Sequence, residues 1–311
     1  VVGIDIPARG ILDNRHQEVE PRNGQYELAR GMYLVLFGFS LDGLLGEFPG
    51  LRPRMFWRSS NHRVGAIGSD FILLPEQHDD LHDEHLWEGE VFGLYEVANP
   101  HGVVIDEDAG LAQLCFSCGY APRVVSEHLR PGSVEQFTSS GHIGRSKTII
   151  AESAAVYPQQ LSGKRVGWNL GQDTAYFVEL DGAISVPIDE VYTPSLHRAD
   201  TMRNPALWFM SKSTCLAEPG YRGHELGMTL HCTAGGITLG ENDGLFRFRR
   251  EQVLRIRDMP MAGYRGQWEG SDDRQAHQIE FHDLAHWGLT GLIEPGIDEI
   301  GARIKDAGIS V

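Results

Sequence analysis

The sequence predicts a mainly β chain made of two similar units in tandem, closed by a short extension that is partly helical. Three observations predict it. The apolar segments are short and rich in β-branched and aromatic residues; Gly, Pro and Asn-Asp signals interrupt them at strand-like intervals; and one stretch of sequence recurs further along the chain.

The strands come first in that argument. Met32-Tyr33-Leu34-Val35-Leu36-Phe37, Ala175-Tyr176-Phe177-Val178-Glu179-Leu180 and Ile184-Ser185-Val186-Pro187 are too short for buried helices and carry the residue types that fit a pleated surface. A helical period occurs near the end, in 296–304, where Ile297, Ile300 and Ile304 fall on one face.

The repeat sets the organisation. Trp87-Glu88-Gly89-Glu90-Val91-Phe92-Gly93 lies over Tyr221-Arg222-Gly223-His224-Glu225-Leu226-Gly227 at an offset of 134. The same offset, without a gap, pairs Val103 with Ile237, Ile105 with Leu239, Glu107 with Glu241, Gly110 with Gly244 and Leu111 with Leu245. Upstream, Arg58 and Arg63 match Arg198 and Arg203 at an offset of 140, and Tyr33 matches Tyr176 at 143. Changes in loop length absorb such drift at small entropic cost. The expected units are therefore 1–125 and 166–255. Residues 126–165, rich in Ser, Gly, Gln and His, are read as a connection, and 256–311 as a C-terminal extension.

Composition narrows the function classes. A chain of 311 residues with 41% hydrophobic and 23% charged residues can bury a real core. Its net charge of −16 repels long polyanions, which argues against DNA or RNA as a partner but leaves room for a small nucleotide held by local arginines. Four cysteines are too few for a disulfide framework. No apolar run approaches the length of a membrane span and no secretory signal pattern opens the sequence, so a cytoplasmic location is expected.

The candidate chemistry lies in the first unit. Trp57-Arg58-Ser59-Ser60-Asn61-His62-Arg63-Val64-Gly65 resembles the Arg-Ser-Ser-x-x-Arg-x-Gly motif of the trimeric dUTPase and dCTP deaminase superfamily. Tyr95-Glu96-Val97-Ala98-Asn99 resembles the family's Leu-Glu-x-x-Asn strand, and Gly110-Leu111-Ala112-Gln113-Leu114-Cys115-Phe116 its closing strand. In the second unit, Glu218-Pro219-Gly220-Tyr221-Arg222-Gly223 is similar to its Asp-Pro-Gly-Tyr/Trp-x-Gly turn. The resemblance implies two dUTPase-like distorted β-barrels in one chain. It also implies a homo-oligomer with nucleotide pockets at the interfaces between barrels.

The residue types suit that chemistry. Arg58 and Arg63 offer planar forks for phosphate oxygens. Ser59 and Ser60 add short donors at a turn whose backbone N–H groups can also face an anion. By the resemblance, Glu96 is the acid/base that activates water against C4 of cytosine without zinc, and Ser59 positions the water or the leaving amine. Arg58, Ser60, Arg63 and Gln113 would hold the substrate's phosphates. A Mg²⁺ ion could accompany a triphosphate, although deamination requires no cofactor. The alternatives are a dUTPase-like, Mg²⁺-dependent diphosphohydrolase and a non-catalytic protein that binds a nucleotide for regulation or scaffolding.

Two features depart from the family pattern. Two extra residues separate the aromatic-x-Gly turn from Asn99, room for a β-bulge that would re-aim Glu96. Residues 75–85 form an insertion between the serine motif and the glutamate strand. The second unit keeps Arg198 and Arg203 but neither serine; the gapless alignment sets Leu230 against Glu96 and Arg247 against Gln113, so this unit is read as degenerate and structural. His231, one place along, leaves a second pocket conceivable.

Other groups carry weaker signals. His78, His82 and His85 share a face if helical, as zinc ligands do, but the acidic run around them reads more simply as a solvated loop. Cys115 and Cys118 lack a second pair, Cys215 and Cys232 are isolated, and His277, His282 and His286 read as surface or packing residues. Asp70 is a second pocket carboxylate by position alone. No metal site is assigned.

Overall fold

The computed structural model describes residues 4–40, 52–73, 90–117, 123–145, 147–161, 163, 165–186, 190–196, 222–232, 237–244 and 246–254. Strands make up most of these residues, as the short β-rich segments require. The expected helix at 296–304, the His78–His85 segment, Cys118, Cys215, Arg198, Arg203 and the tail histidines lie outside the described residues.

The first half contributes β1 (Ile4–Pro7), β2 (Gly10–Leu12), β3 (Gln25–Leu28), β4 (Gly31–Ser40), β5 (Arg52–Trp57), a single helical turn α1 (Ser60–Arg63), β6 (Ala66–Leu73), β7 (Glu90–Val97), β8 (Val103–Asp106) and β9 (Gly110–Ser117). Next come β10 (Arg123–Phe137), β11 (Gly141–Ile143), β12 (Thr148–Ile149), β13 (Ser153–Ala155) and β14 (Gln159–Gln160). The second half adds β15 (Val166–Leu170), β16 (Thr174–Ser185), β17 (Glu190–Leu196), β18 (Arg222–Cys232), β19 (Ile237–Gly240) and β20 (Phe246–Leu254).

The antiparallel pairings follow one scheme twice. In the first half β3 pairs with β8, β4 with β7 and β5 with β9; in the second β15 pairs with β19, β16 with β18 and β17 with β20. The halves are also stitched together. β9 pairs with β20 and β10 with both β16 and β20, so one sheet runs through both. Residues 126–165, expected as a connection, are thus largely strand: β11 pairs with β8 of the first half and β14 with β15 of the second. Their polar composition hid this, because short strands packed on only part of their surface need little apolar periodicity.

Each half has its own core. Tyr26, Val35, Trp57, Tyr95, Val97, Ile105, Leu111 and Leu114 pack together in the first. Trp168, Tyr176, Val178, Met228, Leu230 and Leu239 do so in the second, and that second cluster also takes in Ile67 and Ala98 from the first half. Among the described residues no helix is long and apolar enough to cross a membrane.

Candidate active site

The serine-arginine motif forms α1, the turn that leads from β5 into β6. Its Asn61 is buried and anchors it: the amide nitrogen donates to Arg58 O and Leu111 O, and the amide oxygen accepts from the Tyr95 hydroxyl at 2.9 Å. Burial holds the Tyr95 phenol well above its ordinary value, so it stays a neutral donor. The motif glycine has a geometric reason. Gly65 adopts φ +83°, and a Cβ there would lie 2.7 Å from the Asn99 Cβ and 3.0 Å from the Phe137 ring. Asn99 closes the corner by donating to Val64 O and Ser139 O, both at 2.9 Å. Gly65 O accepts from the N–H groups of Ala98 and Asn99, so the end of α1 and the end of β7 are held together.

Of the candidate phosphate binders, Arg63 is buried and donates from Nη2 to Ser59 Oγ at 2.9 Å. Ser60 Oγ is buried and has no hydrogen-bond partner among the described residues. Arg58 turns the other way. Its Nη1 lies 3.1 Å from Asp5 Oδ2 and 3.3 Å from Gly110 O, and Gln113 Nε2 donates to the other oxygen of Asp5 at 3.4 Å. The six sequence candidates therefore fall into three groups. Ser59, Ser60 and Arg63 lie in or beside α1, Arg58 and Gln113 converge on Asp5, and Glu96 has a partner of its own. Partial burial raises the Asp5 carboxyl above its ordinary value, against the pull of Arg58.

Glu96 sits on β7 opposite Met32 of β4 and Ile67 of β6. From Phe92 to Val97 its pairing with β4 is regular; the register shifts fall between Leu36 and Ser40 and between Gly68 and Phe71, so the bulged residues belong to β4 and β6, and no bulge in β7 re-aims Glu96. Strand alternation sends Tyr95 and Val97 into the first core and Glu96 to the opposite face. There Oε1 meets Nδ1 of His231, on β18, at 2.5 Å. The side chain of His231 is 8% exposed and that of Glu96 23%.

His231 is itself held on its other nitrogen. Nε2 lies 3.0 Å from Arg30 Nη2 and 3.2 Å from Asp173 Oδ1, and Arg30 and Asp173 form an ion pair with each other. The hydrogen bond with Glu96 raises the imidazole above its ordinary value in spite of desolvation, and the bonds from Arg30 and His231 lower the Asp173 carboxyl. Two residues earlier on the same face of β18, Thr229 Oγ1 donates to His62 O at 2.6 Å and the Thr229 N–H donates to His62 Nδ1 at 3.3 Å. His62 is fully buried, and burial, with Arg63 adjacent, pushes its imidazole down to about 4. One strand of the second half thus touches both α1 and Glu96, at positions roughly 7 Å apart along the chain.

This geometry corrects the pairing of Leu230 with Glu96. In β4·β7 Tyr33 stands opposite Tyr95 and Met32 opposite Glu96; in β16·β18 Tyr176 stands opposite Leu230 and Ala175 opposite His231. Matched on Tyr33 and Tyr176, Glu96 corresponds to His231, and Tyr95 to Leu230. The gapless offset of 134 suits β8 and β19, whose Val103, Ile105, Ile237 and Leu239 are all buried, but across β7 and β18 it is wrong by one residue. A one-residue slip exchanges the faces of a strand. Sequence reasoning noticed His231 only as a neighbour of Leu230; the alternation of core residues Met228, Leu230 and Cys232 was the signal that could have singled it out. Arg30 and Asp173 were missed, although they stand at the offset of 143 that relates Tyr33 to Tyr176.

Among solved structures, the fold is similar to that of a 2'-deoxycytidine 5'-triphosphate deaminase from Agrobacterium tumefaciens, with a TM-score of 0.54 and 12% sequence identity over 81% of this chain and 88% of that one. At that identity the likeness is one of fold, and it spans more of the chain than either unit alone. No protein-family model matches the chain, and no curated protein matches it.

Proposed function

We propose that this chain is a nucleotide-acting enzyme that deaminates dCTP or a closely related cytosine nucleotide without a metal, in a pocket beside the seam between its halves. The observation that carries the reading is the convergence of α1 and Glu96 on β18. It brings a serine-arginine pair and a partly exposed carboxylate into one neighbourhood of a fold similar to that of a dCTP deaminase. The recurrence of three strand pairings supports the tandem duplication, with a second unit that lacks the serines.

In this mechanism Glu96 takes a proton from water, and the resulting hydroxide adds to C4 of the cytosine ring. Glu96 returns that proton to the exocyclic nitrogen, the C4–N4 bond breaks and ammonia leaves; the remaining proton of the added hydroxyl passes to N3, which leaves a C4 carbonyl. Ser59, oriented by Arg63, positions the water or the leaving amine. Arg63 and Ser60 meet phosphate oxygens from α1. Arg58 and Gln113 join them when Asp5 yields to the stronger phosphate charge; a phosphate offers Arg58 a bidentate partner that Asp5, met through one guanidinium nitrogen, does not. Assembly of several chains, with pockets at barrel interfaces, belongs to the same reading.

The test is ammonia release from dCTP, CTP and dCMP. Glu96→Gln is expected to lower kcat by roughly 10²- to 10⁴-fold while nucleotide affinity stays within a few-fold. Wild-type rates in that variant would remove Glu96 from its role. Release of pyrophosphate from dUTP in the presence of Mg²⁺ would instead support the diphosphohydrolase reading. One observation favours a non-catalytic binder: Arg58 and Glu96 already have partners of opposite charge within the chain. Nucleotide binding without any turnover would support that reading.

A further inference from the structure

We infer that the second half of the chain supplies a positioning residue to the first: His231 holds Glu96, and Arg30 and Asp173, one from each half, hold His231. The inference rests on the proposed role of Glu96 and adds a function for the half that sequence alone reads as a structural copy.

Three features of the cluster carry it. The first is reach: Oε1 of Glu96 meets Nδ1 of His231, which holds the carboxylate plane, while the Glu96 side chain keeps 23% of its surface exposed. The second is that His231 has a suitable partner in either protonation state. A neutral ring that donates Nδ1–H to Glu96 can accept at Nε2 from Arg30; a protonated ring can donate Nε2–H to Asp173 instead. Glu96 can therefore gain and lose a proton at Oε2 without stranding the buried imidazole. Among the described residues, the charged groups facing His231 include Glu96 from β7, Arg30 from the turn before β4 and Asp173 from the turn before β16.

The third feature is the charge pattern. Arg30 corresponds to Asp173 and Glu96 to His231, so matched positions in the two halves carry opposite or complementary groups. First half against second half pairs cation with anion twice. First half against first half would set Glu96 against Glu96, so the partner that Glu96 has here is one that only the second half offers. Divergence of the second half at these two positions thus creates the contact that steadies Glu96.

The experiment uses the full chain. Imidazole ¹⁵N NMR titrations of wild type and Glu96→Gln read the contact itself, and steady-state ammonia release reads its consequence. We expect His231 to titrate above the ordinary histidine range in wild type and to fall in Glu96→Gln. His231→Leu is expected to lower kcat by roughly ten- to a hundredfold, the scale of one hydrogen bond to a charged group, with KM within a few-fold and the acid limb of the kcat/KM profile displaced. His231→Asn, whose amide nitrogen can take the place of Nδ1, is expected to restore part of the loss. An unchanged His231 titration in Glu96→Gln overturns the inference whether or not the enzyme is active. So does wild-type kcat with an unshifted pH profile in His231→Leu. If wild type releases no ammonia from any cytosine nucleotide, the functional reading fails while the NMR titration still decides the contact.

Discussion

At the scale of single residues, the motif residues divide into those that shape the site and those that face it. Gly65 and Asn99 shape it. Gly65→Ala is expected to destabilise the fold by at least about 1–2 kcal/mol from the left-handed backbone alone, with the close approach to Asn99 adding to that. A urea midpoint equal to that of wild type would refute this account of the glycine. Asn99→Ala removes the partner of two carbonyls and of the His101 N–H, at a cost of about 1–3 kcal/mol for groups left buried. Both stand in the sequence as motif positions, and the structure gives the reasons: the turn needs φ above zero at Gly65, and the buried corner needs a side chain that both donates and accepts. The outward residues were less readable. Arg58 and Glu96 stand out in the sequence as charged motif positions, yet their nearest partners, Asp5 and His231, lie 53 and 135 residues away in the chain.

At the scale of elements, α1 is only one turn long and cannot be stable by itself. It is held by Asn61 on one side and by β18 on the other. Thr229→Val keeps the shape and removes the hydroxyl bond to His62 O, and about 1 kcal/mol of stability is expected to go with it. Hydrogen exchange should locate the effect: protection at the amides of 61–65 should fall more than protection in β8 or β19. Equal loss everywhere would mean that α1 does not depend on this contact. β18 also shows where an alignment by eye fails. Glycines 93 and 227 match in type, but the first packs against Trp57 in the first core and the second against Phe177, on the side of β18 that carries Thr229 and His231. Alternation along a strand is a stronger guide to equivalence than residue identity, because burial acts on faces.

At the scale of the whole molecule, burial of His62 links stability to pH. Its folded value lies near 4, below the ordinary 6.5, so the unfolded chain binds the extra proton between those values. Its contribution is complete above about pH 6.5 and is lost as pH falls toward 4, at about 1.4 kcal/mol per pH unit within that window. His62→Asn keeps an acceptor for the Thr229 N–H and does not titrate, so the difference in unfolding free energy between it and wild type should grow along that slope. A constant difference would show that His62 does not carry the effect. His231 works in the opposite direction: its raised value adds stability that is present below the unfolded value and lost as pH rises through the folded one. The shared sheet makes a further prediction. Residues 1–125 alone lose β20, most of β10 and the cover over Ile67 and Ala98, and are expected to bind a hydrophobic dye and melt without a cooperative transition. A sharp, reversible melt of that fragment would count against the interdependence of the halves.

The β class was legible in the residues alone, because it depends on local geometry: alternation, turn-forming residues and short apolar segments. Only the tertiary structure decided that β10 to β14 join both halves, that Arg58 turns to Asp5, and that Glu96 meets His231 between Arg30 and Asp173. Those outcomes depend on which surfaces are left over once each core has closed. Contacts between residues 53 and 135 positions apart leave no trace in periodicity, and they are set by the register of strands that a single sequence does not display.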